Sequence, residues 1–162
     1  MKDAASQSFR ETIMVAIGDG VFQERLTGAF SGIVTWAQLS ELWSVVKQAP
    51  DGWYIYAIGE TPPERPAKAD ALMAFIQEID ALLRKEHREE YCGIVYADNK
   101  AEPSFIKIFD PHHLGSSCGS SGVKTLPGWL LTRMRPDALH EDRPLPEGRK
   151  RWWRGLFQKQ PA

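Results

Sequence analysis

Asp110, His112, His113 and Cys118 bring an acid, two imidazoles and a thiol into a short span. They stand in Asp110-Pro-His-His-Leu-Gly-Ser-Ser-Cys-Gly-Ser-Ser-Gly122, which holds more glycine and serine than a simple turn requires. The thiolate is the nucleophilic form of cysteine, and nearby imidazoles or main-chain N–H groups stabilise it. Read as an enzyme, the chain has Cys118 as nucleophile, His112 or His113 as base, and loop amides to hold an oxyanion. Read as a binding site, the same glycines free the backbone to turn its N–H groups toward a small anion, with no covalent step. The ligand-binding residues would then be Asp110, Gly115, Ser116, Ser117, Gly119, Ser120, Ser121 and Gly122. The plainest alternative is a turning connector with an incidental cysteine.

Known patterns fit this stretch poorly. A phosphate loop needs G-x-x-x-x-G-K-[ST] leading into a helix. Here Val123 separates Gly122 from Lys124, and Leu126-Pro-Gly128 opposes a helix. Gly115-Ser-Ser-Cys-Gly119 matches G-x-S-x-G, with Ser117 as nucleophile and Asp137 and His140 downstream, but the nucleophile elbow needs strand, turn and helix. Asp110, His112, His113 and Cys118 offer zinc-type donors without C-x-x-C or H-x-x-x-H spacing, so no metal is expected. Gly18-Asp-Gly20 has Gln23 where a dinucleotide fingerprint needs its third glycine. No cofactor is expected. Glu41, Glu78 and Asp80 read as solvated helix carboxylates rather than a catalytic pair.

The C-terminus is the second chemical feature. Five of the 20 basic residues and none of the 21 acidic ones fall in residues 148–162, so this segment carries +5 and the rest −6. On a helix, Trp152, Trp153, Leu156 and Phe157 share an arc of about 140°, with Lys150, Arg151, Arg154 and Lys159 outside it. Three fates suit that pattern. The indoles can dock on the chain's own core while the cations stay wet. Alternatively, Trp152, Trp153, Arg151, Arg154 and Phe157 can meet a partner protein's groove or touch an anionic membrane surface. Nucleic acid is not expected, because the body is acidic and binding rests on neutralising phosphates.

The whole chain limits what these features can be. Its 162 residues fit one domain, residues 1–148, followed by the tail at 149–162. No apolar run reaches the length of a membrane span. Two cysteines do not make a disulfide framework, and the N-terminus lacks an apolar signal core, so a cytoplasmic location is expected.

Four strands and three helices must position the site. Phe9, Ile13, Ile17 and Val21 recur at helical spacing, giving a helix near 6–25. Thr35-Trp-Ala-Gln38 reads as a capping box opening a helix near 36–48. Leu72, Phe75, Ile76, Ile79, Leu82 and Leu83 line one side of a helix over 67–87. Residues 53–58, 92–97, 104–109 and 129–134 read as strands rich in β-branched and aromatic residues. Lys107, on the face opposite Ile106 and Ile108, implies a partly wet second face. Because only the first two strands are separated by a helix, the predicted fold is α+β. It is a single domain with a four-stranded, mostly antiparallel sheet and helices packed on one face. The functional expectation is a small accessory or adaptor protein that binds a partner protein or a small anionic ligand through loop 110–122 and the tail. The cysteine enzyme is the alternative.

Overall fold

A computed structural model describes residues 20–112, 126–139 and 147–158. Residues 20–26 are helical (α1). They are followed by β1 (Ser31–Gly32), α2 (Trp36–Gln48), β2 (Tyr54–Ala57), α3 (Ala69–Glu86), β3 (Val95–Ala97), β4 (Phe105–Ile108), β5 (Trp129–Thr132) and α4 (Glu147–Gln158). The class is α+β, with one sheet in the order β1-β3-β4-β5-β2 and every pairing antiparallel.

The helix boundaries follow from local chemistry. The Thr35 hydroxyl accepts from the Gln38 amide at 3.0 Å, and Gln38 Oε1 accepts in return from the Thr35 N–H at 3.3 Å. Two orphan N–H groups at the start of α2 are thereby satisfied. On α3 all six residues of the predicted stripe are buried. Both helices pack on one face of the sheet, in a core with Ile55, Ala57, Val95, Ala97, Ile106, Ile108, Trp129 and Leu131. Register explains this face. Ile55, Leu131, Ile106 and Ala97 lie opposite one another across four strands, so a period of two turns them all to the same side.

Two expectations need correction. The sheet has five strands rather than four. Ser31–Gly32 carry no strand pattern, yet they pair with Tyr96 and Ala97, and the Ile33 N–H donates to the Val95 carbonyl at 2.8 Å. Nor are the helices confined to one face. Phe22 and Leu26 of α1 cover the other face, with Tyr56, Ile58, Phe105, Leu130 and Leu139. Residues apolar on both sides of a sheet require cover on both. Lys107 stays half-buried there, donating to the Leu26 carbonyl at 3.0 Å with its ammonium 3.9 Å from the Phe30 ring centroid. Strand β3 also begins later than expected. Gly93 takes φ +66°, a left-handed turn conformation, and the strand starts only at Val95.

The predicted N-terminal helix lies partly outside the described residues. Within the described residues, no helix is long and apolar enough to cross a membrane. Helix α4 begins at Glu147, two residues before the expected start of the tail, and its inward side packs on the α3 face of the sheet through Trp152, Trp153 and Leu156.

Candidate functional site at the foot of the glycine-rich loop

Strand β4 ends at Ile108, and two residues later the chain reaches Asp110, whose side chain is 1% exposed. A buried carboxylate is costly unless it is paired and hydrogen-bonded. Asp110 is both. Its Oδ1 accepts from the His112 N–H at 2.9 Å and from Arg149 Nη2 at 2.7 Å, and its Oδ2 accepts from Arg149 Nε at 2.9 Å. Gly128 makes room for it. A Cβ on Gly128 would stand 3.1 Å from Asp110 Cβ, tighter than side chains ordinarily approach.

Arg149 comes from α4 and completes a second fork. Its Nη1 and Nη2 donate to Glu86 Oε2 and Oε1, at 2.8 and 2.9 Å, on the last turn of α3. Bidentate pairs of this kind are the strong, directional form of the ion pair. Four of the five guanidinium N–H groups are thus committed to two carboxylates, which leaves little for an incoming anion. Burial works against the Arg149 charge, but the bonds from Glu86 and Asp110 outweigh it and push its pKa up. The Glu86 carboxyl is held below its ordinary value, first by the Arg149 hydrogen bonds, against burial, with further help from the positive charges of Arg149, His112 and Lys85.

Aromatic rings frame this network. The guanidinium lies over Trp129, 5.6 Å from the ring centroid. Trp152 meets Trp129 edge to face at 5.6 Å, and Trp153 meets Phe75 of α3 at 6.2 Å. Trp129 is therefore buried, with Trp152 of α4 against it. A groove of about 370 Å³ runs between α3 and α4, lined by residues of both signs, including Glu78, Lys85 and Glu86, beside Trp152.

The structure thus joins the two segments that the sequence singled out. Asp110, first residue of the loop, is bound to Arg149 of the tail helix. His112 is exposed and contributes its N–H to Asp110. His113, Gly115, Ser116, Ser117, Cys118, Gly119, Ser120, Ser121 and Gly122 lie outside the described residues. Arg151 and Arg154 are exposed on α4, whereas Trp152 and Trp153 are half-buried against the core. Phe157 falls in α4.

Other candidates resolve as structural residues. The Cys92 thiol is fully buried, and burial pushes its pKa up, the reverse of a reactive cysteine. Asp80 is not simply solvated: it accepts from Trp43 Nε1 at 3.1 Å and from Arg84 Nε at 2.9 Å. Among the described residues, no group of three His, Cys, Asp or Glu side chains is arranged to hold a metal ion.

Sequence reasoning missed Arg149 and Glu86. The signal was present, because at roughly 100° per residue Arg149 falls at the centre of the Trp152, Trp153, Leu156 and Phe157 arc. An arginine on an inward stripe requires a buried acid opposite it. Comparison with known proteins adds nothing to this geometry: no family model, no curated protein and no solved structure matches the chain.

Proposed function

We propose that the chain is a non-catalytic adaptor that binds a partner protein through the face where Asp110, at the foot of loop 110–122, meets α4. The observation that supports this reading is the double fork of Arg149 on Asp110 and Glu86. Both carboxylates and the guanidinium are committed to one another. The network therefore positions segments and offers no free acid, base or anion receptor. It makes the foot of the loop and the tail helix neighbours, so one partner can touch both. The proposed setting is the cytoplasm, in keeping with the free thiol of Cys92.

A photo-crosslinking residue at Arg151 or Arg154 tests the proposal against the same residue at Lys47, exposed on α2. The expected result is one protein captured from both α4 positions and not from Lys47, which re-forms a complex with the purified chain. Failure of the purified pair to associate overturns the adaptor reading. Alkylation of Cys118 by iodoacetamide across pH checks the enzyme alternative. A thiol pKa near its ordinary value of about 8.5 agrees with the adaptor, and a strongly depressed one turns the reading toward catalysis.

A further inference from the structure

The two sides of α4 do different work. Trp152, Trp153, Leu156 and Arg149 face inward and hold the helix to the sheet and α3. Arg151 and Arg154 project from the other side, both exposed, and among the described residues neither makes an ion pair. Gly155 lies beside them, with open space where a Cβ would stand. Beyond its first residue, Glu147, this outer side carries only positive charge, on a chain whose other residues are net acidic. The neighbouring groove does not, since Glu78 and Glu86 share it with Lys85 and Arg149.

Arg149 docks the helix through Glu86 and Asp110, whereas Arg151 and Arg154 make no ion pair with the described residues of the acidic body. A helix that lies in a membrane interface buries its apolar side in the lipid boundary. Here Trp152 and Trp153 already pack against Trp129 and Phe75, which leaves the cations without their apolar companions. Exposed guanidinium groups recognise carboxylates by two-pronged hydrogen bonds and speed encounter through charge complementarity.

We propose that the outer face of α4, centred on Arg151 and Arg154, docks an acidic segment of a partner protein. This rests on the adaptor reading and names the chemistry of its partner. The test is fluorescence anisotropy of a fluorescein-labelled oligoglutamate peptide against the wild-type chain and the R151E/R154E variant. Vesicles containing phosphatidylserine and a single-stranded oligonucleotide serve as competing probes. The expected result is saturable peptide binding that weakens as salt rises and is about tenfold weaker in the variant. Both positions are exposed, so the melting temperature should be unchanged; should the double reversal fail to fold, R151Q/R154Q replaces it. Equal affinity of the variant, no binding, or tighter binding to vesicles or to the oligonucleotide overturns the proposal. A purified crosslinked partner that binds wild type and variant alike overturns this inference while leaving the adaptor reading standing. A partner that fails to bind either one removes the adaptor reading itself.

Discussion

Two aspartates flank β4, and their partners come from very different distances along the chain. Asp98, directly after β3 in the turn that leads into β4, is served almost entirely by that turn. Its Oδ1 accepts from the N–H groups of Asn99, Ser104 and Phe105 at 2.9 to 3.0 Å, and its Oδ2 accepts from the Ser104 hydroxyl and from Arg25 at 3.1 Å. Asp110, just after the strand, is served by Arg149, far along the chain, and by the nearby His112 N–H. Asp98 therefore finishes a hairpin, whereas Asp110 fastens an element. Burial separates them as well, since the Asp98 side chain is 20% exposed and that of Asp110 1%. Loss of a partner should cost more where water cannot replace it.

That contrast sets an order of effects. Arg149→Met should be the most damaging, because it strands the Asp110 charge in the interior; urea denaturation should show a loss of about 3–5 kcal/mol. A loss under about 1 kcal/mol would mean that water reaches Asp110 and the contrast fails. Asp98→Ala should cost about 2 kcal/mol by the same measurement, since its turn amides lose their acceptor but stay near solvent.

Acid titration sharpens the comparison. Burial opposes the Asp98 charge, but the hydrogen bonds from Ser104, Phe105 and Asn99 outweigh it, so the carboxyl sits below its ordinary value, as does that of Glu86. A carboxyl depressed in the fold stabilises above its unfolded pKa, about 4, and loses that contribution as pH falls through the folded value. Arg149→Met should remove the Glu86 share of this acid-side loss and keep the Asp98 share; Asp98→Asn should do the reverse. Identical stability–pH slopes in the two variants would contradict the assignment. The smallest effect belongs to Arg25→Ala. Its partner keeps four other donors and Arg25 is 47% exposed, so the change should lie below about 1 kcal/mol in thermal melts.

Regular elements were legible because their chemistry is local. The capping box at Thr35 and the six-residue stripe of α3 announce themselves within one or two turns. The four predicted strands likewise lie where β-branched and aromatic residues cluster. Strand β1 was not legible: Ser31 and Gly32 have no strand propensity and pair because Tyr96 and Ala97 present a free edge. The cover on the second face was hidden for a similar reason. Phe22 and Leu26 look like any helix stripe, and which side of the sheet they cover is decided by tertiary packing. Of the site, Asp110 and His112 stood out as residue types. Glu86 sits among charged residues at the end of α3, and only the fold brings Arg149 to it. The docking of Trp152 and Trp153 on the core follows from their shared arc, which the sequence does contain.

One oxygen of Asp110 accepts from both the His112 main chain and the guanidinium of Arg149. The start of the glycine-rich segment and the C-terminal helix consequently share a hinge pin. When the helix lifts, Asp110 loses its counter-charge and draws in solvent, and the His112 amide is unmasked in the same event. Deuterium uptake at His112 should keep time with uptake along α4, so that two stretches distant in the chain open as one cooperative unit.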